Sequence, residues 1–188
     1  LPAEDWVSSI KSAYKVLDIG PDFVRIYPTL VIENTPLAVL YRQGKYAPLT
    51  LSQAVSRAAG LKLLFERHSI KVIRTGLQAS PDLADPSVVL AGPYHPSFGE
   101  LVESHIYYLM VASVLQQAAR QNGDLVIRCH CKDESKLRGN RNHNLLTWRK
   151  EFAILTVEII PGLPHRDQLV ISYRGLDYIV NRDMLIHI

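Results

Sequence analysis

Two runs of β-branched residues separated by a helical segment constrain the first half of this chain most strongly. Residues 23–32 and 71–76 are rich in valine and isoleucine and are flanked by turn residues, a pattern typical of strands. Between them, Thr50 and Gln53 form a capping box that predicts a helix running to about residue 67. The simplest arrangement of strand, helix and strand is a right-handed crossover between parallel strands.

Further helices are predicted before, between and after these strands in the sequence. Apolar residues recur at helical spacing over residues 3–17, and a shorter helix is expected over 35–43. Residues 101–120 are apolar nearly all round, which predicts a long helix buried between layers. Pro28 lacks an amide hydrogen, so pairing of the first strand should end near Tyr27.

From residue 124 onward the sequence pattern is that of short strands, and it predicts a small antiparallel sheet. Four strand-like runs are joined mostly by short turns, at residues 124–131, 152–160, 168–174 and 176–181. Together with the preceding helices they predict an α+β fold.

The composition of the chain indicates a globular protein rather than a disordered segment. The chain has 188 residues, of which 47% are hydrophobic and 21% charged, too apolar for a disordered segment. Its formal net charge is +3, yet residues 132–150 alone hold six lysines and arginines against two acidic residues. No signal peptide or membrane-spanning run is apparent, and two cysteines make no disulfide framework, so a reducing cytoplasm is expected.

The residues at 24–32, 72–78 and 92–96 closely resemble those of radical S-adenosylmethionine (SAM) proteins, in the bacterial group related to the Elongator catalytic subunit. The resemblance runs from residue 1 to about residue 146. It implies the last two βα units of a partial TIM-like barrel in residues 1–80, followed by a C-terminal α+β domain in residues 81–188, which holds the long helix and the small sheet.

The resemblance also implies SAM and a [4Fe-4S] cluster in the full-length parent, where reductive cleavage of SAM yields a deoxyadenosyl radical. The family binds its cluster through a CxxxCxxC loop, whereas this chain has only Cys129 and Cys131. At least three thiolates are needed for such a cluster. We therefore expect a C-terminal fragment, inactive alone, which holds no cofactor itself and is completed by a missing N-terminal half of the barrel.

Polar residues near the carboxyl ends of the two strands are the candidates for cofactor binding, because barrel chemistry sits at that end. Arg25, Tyr27 and Thr29 share one face of the first strand, and Arg74 and Gln78 share a face of the second. An arginine suits the carboxylate of SAM. The alternative for Arg25 is an ion pair with a glutamate of the missing strands.

Candidates for substrate binding follow later in the chain. His95 is a candidate acid, base or ligand, because the unperturbed pKa of a histidine lies near neutrality, although docking of the long helix is the favoured role of its segment. Arg138, Arg141 and Asn144 belong to a basic segment that resembles the family's Ser, Gly, Arg, Asn pattern. This segment is suited to RNA phosphates, but it lacks aromatic residues for stacking apart from Trp148. A solvated loop before a helix is the alternative.

No metal site is predicted. Cys129 and Cys131 provide one closely spaced pair, and a structural zinc site normally needs four ligands.

A rival hypothesis is a self-contained RNA-binding or protein-interaction module, or a homodimer formed through an exposed barrel edge. The acetyltransferase module that accompanies the Elongator subunit is absent from these residues, which leaves the reaction open.

Overall fold

The computed structural model describes Pro2, residues 4–117 and residues 122–185, and it divides into two compact units, Leu1–Val102 and Glu103–Ile188. The division falls within the long helix, later than the domain boundary expected at residue 80. The elements of the first unit are α1 (Trp6–Ile19), β1 (Phe23–Ile26), β2 (Val31–Ile32), α2 (Pro36–Arg42), α3 (Leu51–Arg67), β3 (Lys71–Thr75), α4 (Pro81–Ala84) and β4 (Val89–Ala91).

The strand, helix and strand of the first unit form a parallel pair, as the sequence predicts. β1 pairs with β3, and one residue, Ile73, is bulged out of the ladder. Helix α3 begins at the predicted capping box, in which the Thr50 hydroxyl accepts from the Gln53 amide at 3.3 Å. Its small and apolar residues pack against both strands, where Ala59 is fully buried.

Pro28 divides the predicted strand 23–32 into two. β1 ends at Ile26, and after residues 27–30 the chain pairs again as β2, antiparallel to β4. The interruption agrees with the missing amide hydrogen of proline. Across the described ranges the sheets have two, two and four strands, and none of them closes into a barrel.

Helix α5 (Phe98–Gln117) is the predicted long helix, and residues 118–120 of the prediction lie outside the described residues. Between Val102 and Leu115, none of its side chains is exposed, which confirms the expected buried position. Its start lies close against the end of β3. A Cβ at Gly76, where φ is +91°, would come within 2.8 Å of the Phe98 Cβ.

The second unit contains β5 (Gly123–Cys129), α6 (Glu134–Arg138), α7 (His143–Phe152), β6 (Ile154–Pro161), β7 (Gln168–Tyr173) and β8 (Leu176–Asn181). The sheet order is β6-β5-β7-β8. β7 is antiparallel to β5 and β8, but β6 is parallel to β5, so the prediction of a wholly antiparallel sheet is wrong. Helix α7 causes the difference, because a parallel neighbour requires a crossover connection.

A helix that crosses a bilayer needs about 20 mostly apolar residues. Within residues 4–117 and 122–185, no helix combines the length and the apolar character that crossing a membrane requires.

Candidate functional site

Two arginines lie side by side on the exposed face of the parallel strand pair. Arg25 of β1 is the direct neighbour of Arg74 of β3, and both side chains are exposed. The Arg74 guanidinium donates to the Gln78 side-chain oxygen at 3.1 Å. The structure thus brings together three of the five residues predicted to contact the cofactor.

The strand period places these arginines away from the core. Ile26 of β1 is 9% exposed and lies on the side that packs against α3, whereas Arg25 points the other way. Like charges on neighbouring strands repel each other. An anion bound between them would relieve this repulsion, and a carboxylate or a phosphate can accept from guanidinium groups through two oxygens.

Tyr27 and Thr29, the other two predicted residues, line a cavity of about 150 Å³ between the end of β1 and helices α1 and α3. Glu4, Tyr46 and Arg57 provide further polar groups on its wall. Burial, and secondarily Glu4, raises the pKa of the Tyr46 phenol. Sequence reasoning missed these three residues.

One of these three residues, Arg57, could have been identified from the sequence. Arg57 falls within an apolar stripe at helical spacing, between Ala54 and Leu61. A charged residue in such a stripe indicates either an internal partner or a cavity.

His95 helps to begin helix α5. Its Nδ1 accepts from the Ser97 amide at 3.1 Å, and its carbonyl oxygen accepts from the Phe98 amide at 3.1 Å. With Nδ1 accepting, the neutral ring carries its proton on Nε2. Phe98 is 2% exposed, which supports the other role predicted for this segment, docking of helix α5. His95 itself is half-buried.

The three residues predicted in the basic segment differ widely in exposure. Arg138 donates to Glu134 at 2.8 Å, and Arg141 is exposed at a left-handed φ of +51°. Asn144 is 2% exposed, and its amide nitrogen donates to the Ser104 and Leu137 carbonyl oxygens, each at 3.0 Å. Of the three, Arg141 presents its charge to solvent without a partner in the described part of the chain.

A buried carboxylate that the sequence did not reveal anchors this region. Asp133 is fully buried, and its Oδ1 accepts from Arg166 Nη2 at 2.7 Å while its Oδ2 accepts from the Asp167 amide at 2.9 Å. Burial alone would raise the pKa of Asp133, but the hydrogen bonds from Arg166 and Asp167 outweigh it and lower the pKa. Burial, with nearby Asp167, raises the pKa of Tyr107 far above its usual range.

The two cysteines have different environments. Cys129 is fully buried at the end of β5, where burial raises its pKa to about 11, while Cys131 is exposed. In the ranges that the structure describes, no three histidine, cysteine or acidic side chains are grouped to hold a metal ion.

Part of this chain is similar to known proteins. Residues 21–108 match the model of the family described as "Radical_SAM C-terminal domain". The match covers the parallel strand pair and the start of α5, and therefore includes the Arg25 and Arg74 face.

The chain also resembles the tRNA uridine(34) acetyltransferase of Methanocaldococcus jannaschii, with 30% identity over 96 residues. The aligned part is 51% of this chain and 17% of that protein. Residues 21–108 are therefore similar to the C-terminal domain of radical SAM proteins, in agreement with the resemblance noted in the sequence.

Proposed function

We propose that this chain forms the C-terminal wall of the cofactor pocket in a radical SAM enzyme. In that enzyme SAM supplies the radical chemistry, and a [4Fe-4S] cluster held by other residues supplies the electron. The observation that supports the proposal is the pair of adjacent, exposed arginines on the parallel strands.

The residues of this face suit the methionyl carboxylate of SAM. Arg25 and Arg74 would bind the carboxylate through charge-assisted hydrogen bonds. Gln78 accepts from Arg74 at 3.1 Å and would thereby orient that guanidinium. Tyr27 and Thr29 would act differently, because they line the cavity between β1 and the helices.

The cluster itself does not fit the residues of this chain. Iron–sulfur clusters are held by thiolates, and the sequence has two cysteines. Cys129 is buried with a pKa raised to about 11, so its thiol stays protonated at neutral pH. We therefore assign the iron ligands to a separate part of the enzyme and route no step through Cys129 or Cys131.

The outer edges of β1 and β3 have no partner strand among the described residues. We propose that the remaining strands of a partial TIM-like barrel pair with one of them. A homodimer through the same edge is the competing arrangement, and light scattering distinguishes a monomer from it.

Titration of the isotopically labelled chain with SAM, followed by nuclear magnetic resonance, tests the proposed pocket wall. At millimolar SAM the signals of Arg25, Arg74 and Gln78 should shift. Decarboxylated SAM, which lacks the carboxylate, should shift them much less. Substitution Arg25→Gln should reduce the shifts, whereas Lys71→Gln, at an exposed position of β3, should leave them unchanged.

Equal shifts with SAM and its decarboxylated form would contradict the assignment of the carboxylate to the arginines. Absence of shifts at all three residues would remove the whole pocket-wall proposal.

A second proposal concerns the substrate, and it is favoured by exposed cations in the second unit. Lys132, Arg141, Arg149 and Lys150 are exposed, and within the described residues no ion pair engages them. The relative from Methanocaldococcus jannaschii is named for action on tRNA. We propose that these cations contact RNA phosphates, in a cytoplasmic protein.

Binding to a tRNA transcript at several salt concentrations tests the RNA proposal. Affinity should fall as salt rises, and Arg141→Gln should make the salt dependence about one counterion shallower. Arg138→Gln is the comparison, because Glu134 already pairs with that guanidinium. Binding that does not change with salt would contradict the proposal.

A further inference from the structure

Three aromatic rings are held parallel where helices α5 and α7 meet. The His105 ring stacks on Tyr108 with centroids 5.6 Å apart and planes 14° apart. Tyr108 is parallel to Trp148 within 4°, at 6.4 Å. Trp148 is fully buried, whereas His105 and Tyr108 are half-buried. The solvent-accessible part of this stack therefore belongs to α5.

The packing around the rings fixes their orientation. Trp148 donates through Nε1 to the Tyr108 carbonyl oxygen at 3.4 Å, and the Tyr108 hydroxyl donates to the Glu151 carboxylate. Burial, and secondarily the electrostatic effect of His143, lowers the pKa of His105, which favours its uncharged form. Rings that are already fixed lose little entropy when a ligand binds.

The exposed face of α7 lies away from the buried Trp148 and includes an exposed cation, Lys150. His143, Leu146 and Lys150 follow one another at intervals of three and four residues, so they share one face of the helix, and all three are exposed. Arg149 adds a further exposed cation along the same helix.

We propose that His105, the end ring of this stack, forms a platform on which an unpaired nucleobase of RNA stacks, while exposed cations of the same unit contact phosphates of that RNA. This inference rests on the RNA proposal above and deepens it by naming a contact to a base. Stacking platforms beside basic grooves are how proteins hold single-stranded nucleic acid. Charge complementarity favours RNA over a protein partner, because one acidic residue, Glu151, stands on α7 and it is engaged by Tyr108.

Fluorescence anisotropy of the full chain with two labelled probes tests this contact. One probe is a short oligouridine, and the other is a ribose-phosphate strand of equal length without bases. Substitution His105→Ala should weaken binding of oligouridine by at least about fivefold, the loss expected for one stacked base. It should leave binding of the abasic strand unchanged. His105→Phe should restore oligouridine affinity.

His165→Ala is the matched control, because His165 is an exposed histidine of the same unit. Equal affinity of the wild type for both probes, with no effect of His105→Ala, would overturn the platform and leave the phosphate contacts standing. Binding of neither probe at low salt would overturn the platform together with the RNA proposal. Self-association that Leu146→Ser abolishes, without RNA binding, would assign the face to a protein partner instead. Thermal unfolding of each variant confirms that the substitutions leave the fold intact.

Discussion

At the scale of single residues, Asp133 shows why polar residues of similar appearance in the sequence have unlike roles. It stands in a run of charged and polar residues, yet it is fully buried and accepts from Arg166 and from the Asp167 amide. Asn144 is similarly buried, and its amide binds main-chain oxygens. Neither role was predictable, because Arg166 and Ser104 lie far from these residues in the sequence.

Substitution Asp133→Asn should destabilise the second unit by about 1–3 kcal/mol at neutral pH, since Arg166 loses its charged partner. The pKa of Asp133 is lowered in the folded protein, so its contribution is fully present above the unfolded value of about 3.9. That contribution is lost as pH falls through the lowered folded value. Urea unfolding at neutral and acidic pH measures the difference between the two proteins.

The control for this prediction is Glu158→Gln, at an exposed position of β6, which should change stability by less than about 0.5 kcal/mol. If the loss caused by Asp133→Asn persisted undiminished at strongly acidic pH, the charge of Asp133 would not be its source.

Gly139 is a second residue whose role depends on its surroundings. Its φ is +70° and its ψ is 171°, and an added Cβ would lie 2.8 Å from the Ser104 hydroxyl. Gly139→Ala should therefore cost about 1–3 kcal/mol. Gly175→Ala, at φ +76° with open space around it, should cost less. Equal losses of stability in the two variants, measured by urea unfolding, would show that crowding at Gly139 is unimportant.

At the scale of elements, the βα units were the most predictable part of the chain. The period of two in β1, the capping box of α3 and the all-round apolar α5 are local signals, and each structural element follows its signal. The parallel pairing of β5 and β6 was missed because α7, a helix after the basic segment, was considered only as an alternative and not as a crossover between strands. Its buried positions Asn144, Trp148 and Phe152 have helical spacing, but the first is polar and the segment before it is irregular.

The candidate site was predictable only in part, for a related reason. Residue spacing groups Arg25 with Tyr27 and Thr29 on one face, but β1 ends at Ile26, and the neighbour relation of Arg25 with Arg74 depends on a bulge at Ile73. The period of two does not reveal such a bulge. The cavity lined by Tyr27 and Thr29 draws its other walls from distant segments.

The strand pair offers a prediction that separates function from stability. If Arg25 and Arg74 are adjacent to bind an anion, Arg25→Thr should leave stability unchanged or raise it by up to about 1 kcal/mol at low salt. The reason is that this substitution removes one of two like charges on neighbouring strands. Lys71→Thr, beside Phe23 rather than a cation, is the matched control. A loss above about 1 kcal/mol in urea unfolding would instead give Arg25 a structural role.

At the scale of the whole molecule, the chain is mixed α+β and consists of two compact units, and its first unit includes most of the residues matched by the radical SAM C-terminal family. The chain aligns with 17% of its relative from Methanocaldococcus jannaschii. We propose that this chain supplies a wall of the cofactor pocket, whereas the iron ligands are residues outside it.

Anaerobic reconstitution of the purified chain with iron and sulfide tests that claim most directly. The buried thiol of Cys129, with its raised pKa, and the exposed Cys131 cannot together provide three thiolates. The absorption spectrum after desalting should therefore lack a [4Fe-4S] band, and bound iron should stay well below cluster stoichiometry. A stoichiometric [4Fe-4S] band from this chain alone would contradict the account.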